Sequence, residues 1–234
     1  MVSKQYPRLG ETVFHEILEN GLHIYVDRRR DFQKSYAFFA TNYGGMDMKF
    51  RLDGAWKNTP AGVAHFLEHK MFDTQEGNAL QDLAANGASP NAFTSSAITG
   101  YFFESTDKFF ENLEILLSFV SIPWFTQESV DKEQGIIGQE IRMVEDDPEN
   151  QVFYALMECL YDHHPLRVPI AGTQESIAKI TAGTLYSCHK AFYTPANMVL
   201  TVAGDVDPEQ VCAIARKILP AEPGAPIDRD YGGE

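Results

Sequence analysis

Apolar residues in the first part of the chain fall into short runs that predict β-strands. The runs Val13–Glu19 and Leu22–Val26 flank Asn20-Gly21, the dipeptide preferred in a two-residue type I′ turn, and therefore predict a hairpin. Residues 35–43 are rich in aromatic side chains and predict a third strand. Residues 91–105 predict more strand, with a break near Ser95-Ser96.

Longer stretches with helical signals lie between and after these strands. Residues 46–59 are polar and predict a loop, after which Thr59 can cap a helix that carries Pro60 in its first turn and ends near residue 72. Further helices are predicted at 78–86, 107–120, 127–146, 149–161, 181–192 and 208–219, with a last strand at 197–203. This mixed order predicts an α+β fold, a mostly antiparallel sheet with helices packed on one face.

The helix after Pro60 contains a group of side chains suited to metal chemistry. Each helical residue turns about 100°, so His65 and His69 differ by about 40° and Glu68 lies about 60° to the other side of His65. Two imidazoles on one face can hold a zinc ion, and the neighbouring carboxylate can accept a proton from zinc-bound water. Burying these groups in an apolar helix is costly unless a metal compensates. The alternative is that the three residues occur together by chance.

A third ligand is expected, because catalytic zinc usually has three protein ligands and one open position. The predicted helix 127–146 carries Glu133 and Glu140, seven residues apart and nearly superposed beside an apolar stripe that runs from Val130 to Val144. One of these carboxylates could bind the metal while the other supports a ligand. A pair of solvated or ion-paired carboxylates is the alternative.

At these residues the chain resembles the pitrilysin/insulysin family, which includes the mitochondrial processing peptidases. The family signature is an inverted His-x-x-Glu-His zinc motif followed downstream by a helix with two glutamates separated by six residues. This chain has His65-Phe-Leu-Glu68-His69 and then Glu133 and Glu140 at that separation.

The resemblance extends over about residues 10–220. The strand Asn91–Thr94, the segment Pro165–Thr173 and the strand around Asn197–Val202 are also similar to the family. Bacterial insulinase-like peptidases of the type found in Gram-positive genomes are the most similar group. The fold that this implies is that of the mitochondrial processing peptidase-like metallohydrolases.

The resemblance implies a role for each residue of the motif. His65, His69 and Glu140 are implied as ligands of one zinc ion per chain, Glu68 as the catalytic base, and Glu133 as a residue that supports a ligand. The implied activity is that of a zinc-dependent endopeptidase.

The resemblance also implies how a substrate binds and how the whole enzyme is built. A peptide in extended conformation would pair with the strand formed by Asn91, Ala92, Phe93 and Thr94. Residues 1–220 would be the N-terminal half of a clam-shaped peptidase, and the Pro/Gly-rich residues 221–234 a linker toward a homologous C-terminal domain or a partner subunit. An isolated half is then expected to be weakly active or inactive.

Two other functions remain open. The chain could be a structural subunit that helps to form the chamber without catalysis, although such subunits typically lose motif residues. It could also be a non-peptidase hydrolase or lyase with the same motif, which the Glu140 helix and the Asn91–Thr94 strand disfavour.

Composition narrows the classes of partner. The formal net charge of −14 disfavours nucleic-acid binding, which needs a basic surface. No apolar run approaches the roughly 20 residues that span a bilayer. The chain has an odd number of cysteines, Cys159, Cys188 and Cys212, with no disulfide or Cys-x-x-Cys pattern, which favours a reducing compartment. A cytoplasmic location is therefore expected.

Overall fold

The structure is a computed structural model that describes residues 1–233. Its strands are β1 (Val2–Tyr6), β2 (Glu11–Ile17), β3 (His23–Arg28), β4 (Ser35–Thr41), β5 (Lys49–Leu52), β6 (Ala55–Asn58), β7 (Ser89–Thr94), β8 (Thr99–Ser105) and β9 (Met198–Gly204). Its helices are α1 (Val63–Met71), α2 (Ala79–Ala85), α3 (Phe109–Ser121), α4 (Gln127–Glu145), α5 (Pro148–Leu160), α6 (Gln174–Ile177), α7 (Ala182–Phe192) and α8 (Pro208–Ile218). Among the residues described, none of the helices is both long and apolar enough to cross a membrane.

Seven strands form one sheet in the order β1-β2-β3-β9-β4-β8-β7, and β5 and β6 form a separate hairpin. All neighbours in the large sheet are antiparallel except β3 and β9, which run parallel. The predicted α+β fold with a mostly antiparallel sheet is therefore confirmed. Strand β7 lies at one end of the order, so one of its edges has no neighbouring strand within residues 1–233.

One face of the large sheet is buried against helices. Alternate residues of the central strands, such as Ile24 and Val26 on β3 and Leu200 and Val202 on β9, are at most 1% exposed. Helices α1, α3 and α8 contact the sheet on this side. Because side chains on a strand alternate between faces, the intervening residues of β3 lie on the opposite face and are only partly buried.

The turn at Asn20-Gly21 differs from the predicted type I′ turn. Gly21 has a φ of +83°, but Asn20 has no positive φ, whereas a type I′ turn needs positive φ at both central residues. The Leu18 amide instead donates to the Leu22 carbonyl across a three-residue loop. Asp53-Gly54 does have positive φ at both residues, and it joins β5 to β6. Both of these strands lie within residues 46–59, the range predicted to be a loop.

Helix α1 begins later than predicted, at Val63 with Gly62 as its N-cap. Thr59 does not cap it, since its hydroxyl donates to the Met48 carbonyl at 3.1 Å. Gly62 has a φ of +91°, and a Cβ there would lie 2.5 Å from the carbonyl oxygen of Ala171. A glycine is therefore required where the start of α1 packs against the loop before α6.

The segment predicted as a linker lies against the β5–β6 hairpin. The Arg51 amide donates to the Asp228 carbonyl, and the Asp230 amide donates to the Lys49 carbonyl, both at 2.9 Å. The Tyr231 hydroxyl donates to Asp47 at 2.8 Å. A domain boundary near residue 220 stays a prediction.

Candidate metal centre

Helices α1 and α4 bring three of the predicted metal ligands together. His65 Nε2 lies 3.4 Å from Glu140 Oε1, and His69 Nε2 lies 3.5 Å from Glu140 Oε2. One ligand atom from each of the three residues lies within 4.8 Å of the other two. A single turn of α1 separates the two histidines, and α4 crosses beside it, so the cluster follows from the contact of these two helices.

The cluster fits a zinc ion. Tetrahedral zinc with bonds of about 2.0–2.1 Å holds neighbouring nitrogen and oxygen donors about 3.4 Å apart. The separations between the histidines and Glu140, 3.4 and 3.5 Å, match that value and exceed those of ordinary hydrogen bonds. Two imidazoles and one carboxylate are also a ligand set that catalytic zinc uses.

The second ring nitrogen of His69 is held by Glu133. His69 Nδ1 lies 3.1 Å from Glu133 Oε1, which leaves Nε2 directed toward Glu140. Glu133 in turn lies 3.5 Å from Lys70 Nζ, which also pairs with Asp73. A carboxylate on the outer nitrogen of a ligating histidine fixes the tautomer and orientation of its ring.

The corresponding nitrogen of His65 has no such support. His65 Nδ1 is buried and has no hydrogen-bond partner within residues 1–233. The His65 ring meets the His69 ring edge to face, with centroids 4.7 Å apart. Packing rather than a hydrogen bond therefore orients His65.

The charges of the cluster perturb the pKa values of its members. The hydrogen bond with His69 lowers the pKa of Glu133, and Lys70 adds to this effect. Close contact with the ring of His65 lowers the pKa of Glu140, and His69 adds to this effect. Burial lowers the pKa of His69, but the hydrogen bond to Glu133 and the nearby carboxylates outweigh it, so the net pKa is raised. Both glutamates are thereby held in the charged form that a cation requires.

Glu68, the predicted base, lies on the same face of α1 as the histidines but outside the donor cluster. It is 8% exposed, and its Oε2 accepts a hydrogen bond of 2.9 Å from the Thr94 hydroxyl. Burial raises the pKa of Glu68, and the charge of His65 and the hydrogen bond from Thr94 oppose this shift. A raised pKa suits a group that must take up a proton near neutral pH.

The predicted substrate strand lies at the edge of the sheet beside α1. Strand β7 contacts α1, and Thr94 is at its end next to Glu68. Ala92 shares the face of Thr94, whereas Asn91 and Phe93 lie on the opposite face, away from the cluster. Phe93 is 41% exposed and stacks on Phe38. Of the four predicted residues, only Thr94 contacts the site.

Lys70 is a member of the site that the sequence reasoning missed. Its side chain is 3% exposed, and it forms ion pairs with Glu133 and Asp73. A lysine between His69 and Met71, in a helix otherwise expected to be buried, is the signal that could have identified it, because a buried lysine is nearly always paired.

A cleft of about 330 Å³ opens beside the cluster. His65, Thr94 and Glu140 are among the residues that line it. Its walls come from the end of α4, from α5 and from residues 169–173. The loop that fixes Gly62 therefore also borders the site.

Comparison with protein families agrees with this arrangement. Residues 54–174 match the insulinase family (peptidase family M16), and residues 179–231 match the peptidase M16 inactive domain. An uncharacterised zinc protease of Bacillus subtilis, YmfH, is 46% identical over 215 residues, which cover 91% of this chain and 50% of the relative. A zinc protease of Mycobacterium leprae is 34% identical over 68% of this chain and 37% of the relative.

Solved structures give the same result. The M16-like peptidase from Alicyclobacillus acidocaldarius superposes with a TM-score of 0.91 and 38% identity, covering 99% of this chain and 55% of that one. Pitrilysin superposes with a TM-score of 0.79 over 96% of this chain and 24% of that one, and its 16% identity shows the fold alone. The chain thus spans about half the length of YmfH and of the Alicyclobacillus peptidase, and less of the other two.

The fold is that of one half of a two-domain peptidase. The chain belongs to the insulinase family, peptidase family M16. The resemblance to the pitrilysin/insulysin family is confirmed, and all five motif residues, His65, Glu68, His69, Glu133 and Glu140, lie in the range that the insulinase family model matches.

Proposed function

We propose that this chain is the catalytic half of a zinc-dependent endopeptidase. The observation that carries the proposal is the cluster of His65, His69 and Glu140 with the buried carboxylate of Glu68 beside it. Relatives named as zinc proteases support the same activity. The site does not support the alternative of a structural subunit, because a subunit that only helps to form the chamber has no need of these metal ligands.

Each residue of the site has a part in this proposal. His65, His69 and Glu140 hold one zinc ion, which when bound supplies a Lewis acid for the scissile carbonyl and lowers the pKa of water. Glu68 takes the proton of the attacking water and later passes it to the leaving amine. Thr94 holds the Glu68 carboxylate in place, and Glu133 holds the His69 ring.

The proposed substrate is a peptide in extended conformation paired with β7. The free edge of β7 offers backbone donors and acceptors, and its Thr94 end lies at the catalytic base. Addition of a strand through backbone hydrogen bonds tolerates many side chains, so β7 alone imposes little sequence specificity.

We further propose that a homologous C-terminal half, in the same chain or in a partner subunit, covers the cleft. This chain spans only about half of YmfH and of the Alicyclobacillus peptidase, which supports the proposal. Covering excludes water and positions the peptide, and positioning alone contributes several kcal/mol to catalysis, on the order of 7 or more. This chain alone should bind zinc but hydrolyse peptides slowly. A cytoplasmic location stays a prediction.

The test of the catalytic role is Glu68→Gln in zinc-loaded protein, assayed with a homologous C-terminal half added. We expect the variant to keep its zinc and to lose turnover by about 10²–10⁴-fold, the usual contribution of a general base. Glu222→Gln, a change at an exposed carboxylate, is the matched control. Peptide hydrolysis by Glu68→Gln at the rate of the control would refute the mechanism.

A further inference from the structure

A large open groove lies away from the metal cluster, between α2 and α3. It has a volume of about 610 Å³ and is lined by the loop after α1, one side of each helix, and residues 122–124. Its apolar lining includes Ile115, Phe119 and Trp124. Trp124 is 41% exposed and Ile122 is 66% exposed. Large apolar side chains grouped in an exposed concave surface mark a binding site.

Carboxylates line the same groove as these apolar side chains. Glu76, Asp82 and Glu111 line the groove, and none of them has an ion-pair partner within residues 1–233, whereas Glu114 pairs with Lys217 at 3.0 Å. No lysine, arginine or histidine is among the lining residues. The groove therefore complements a ligand that is both apolar and positively charged.

The groove lies where a peptide bound to β7 would continue. Asn86 lines the groove, and β7 begins three residues later, at Ser89. From Ser89 the strand leads to Thr94 beside Glu68, a distance of about 17 Å at the usual rise of about 3.3 Å per residue. Helix α2 itself contacts β7. A peptide that follows β7 away from the catalytic base thus arrives near the end of α2.

We propose that this groove is a docking site for a basic, apolar segment of the peptide substrate, several residues away from the scissile bond. The assignment to a substrate rests on the proposed peptidase function. The carboxylates contact the lysine or arginine side chains of the segment, and its large apolar side chains lie on Trp124 and Phe119. The groove then selects peptides by their side chains, which pairing with the backbone of β7 does not do.

The binding test uses zinc-loaded protein that carries Glu68→Gln, so that the peptide stays intact, and Trp56→Phe, so that Trp124 is the only tryptophan. The probe is a short peptide in which lysines alternate with leucine and phenylalanine, and its partner has glutamate in place of each lysine. We expect the basic peptide to shift Trp124 emission and to bind at least about tenfold more tightly than the acidic one. Glu111→Lys should weaken the binding by about tenfold or more, whereas Glu222→Lys, with the same change in net charge, should not.

Equal binding of both peptides, or equal affinity of Glu111→Lys and Glu222→Lys, would overturn the docking site. A second measurement joins the basic segment to a peptide that the parent protein cleaves when a homologous C-terminal half is added. We expect a lower KM with kcat unchanged, and loss of that gain in Glu111→Lys. If the segment binds but leaves KM unchanged, the groove serves a separate partner and the substrate assignment is wrong. If peptides bind here but none is cleaved even with a homologous C-terminal half added, the peptidase proposal fails while the docking site stands.

Discussion

Helices α1 and α5 both contribute residues to the cleft beside the metal cluster, yet their residues are buried to very different extents. Every residue of α1 except His69 is buried, including the charged Glu68 and Lys70. No residue of α5 is buried, and its apolar side chains Val152 and Leu160 are 71% and 58% exposed. His65 of α1 and residues of α5 such as Tyr154 nevertheless line the same cleft.

This difference distinguishes the catalytic groups, which this chain positions by itself, from a surface that we expect another domain to cover. His65, Glu68 and His69 lie on a helix that is packed into the core, and Glu140, whose side chain is 42% exposed, comes from the neighbouring α4. Residues of this chain therefore position all of these groups. Helix α5 instead presents apolar side chains to solvent, at positions that do not line the cleft, as expected for a surface that another part of the protein covers. We expect the proposed second half to pack on these side chains of α5.

The largest stability contrast between the two helices should appear in a pair of leucine substitutions. Leu67 on α1 is fully buried, whereas Leu156 on α5 is 51% exposed. Leu67→Ala should lower the free energy of unfolding by about 2–5 kcal/mol, the range for buried leucines. Leu156→Ala should change it by less than about 0.5 kcal/mol. Urea denaturation of both variants measures this, and equal losses would show that α5 belongs to the core.

Acid should lower the free energy of unfolding through His189, a residue of a helix that packs on α1. His189 on α7, a helix that contacts α1, is buried with its Nε2 2.9 Å from the Val120 carbonyl, and burial lowers its pKa to about 4. In the unfolded chain His189 binds a proton near pH 6.5, whereas in the folded chain it does so only near pH 4. The free energy of unfolding should therefore fall as the pH drops from about 6.5 to about 4, and protonation of His189 should cause no further loss below about pH 4. The loss should reach about 3 kcal/mol.

The matched variant for this pH effect is His189→Gln, which keeps a donor for the Val120 carbonyl. Its free energy of unfolding, measured by urea denaturation at pH 7 and pH 4, should decline less than that of the parent. An identical decline in both proteins would show that His189 does not carry the effect.

A smaller effect, on metal affinity, should follow from Lys70→Met. Lys70 is the cation that holds Glu133, and Glu133 is the hydrogen-bond partner of His69 Nδ1. Without Lys70 the His69 ring is held less firmly, so zinc should bind about 10–100-fold more weakly. Competition with a chelator measures the affinity. Lys132→Met, at the exposed residue beside Glu133, is the control and should bind zinc like the parent.

Local signals in the sequence were enough to predict the motif and most elements. His65, Glu68 and His69 share a helical face because of their spacing alone, and Glu133 and Glu140 do so for the same reason. The Thr94 contact with Glu68 and the Lys70 ion pair with Glu133 depend on how α1 packs against β7 and α4. No local pattern specifies such packing.

The sheet order shows the same limit. Strand β9 lies between β3 and β4 and runs parallel to β3, although most of the chain separates it from both. Turn chemistry was also misjudged, because Asn20-Gly21 and Asp53-Gly54 carry similar signals and only the second has positive φ at both residues. The fold around each turn decides which geometry it adopts.

The most direct test of the proposed metal centre is the zinc content of four proteins after dialysis against metal-free buffer, measured by mass spectrometry of the metal. We predict about one zinc per chain in the parent and in Glu68→Gln, retention with weaker affinity in Glu133→Gln, and loss in Glu140→Gln. Zinc retained in Glu140→Gln, together with its loss from Glu68→Gln or Glu133→Gln, would contradict the assignment of ligand and base.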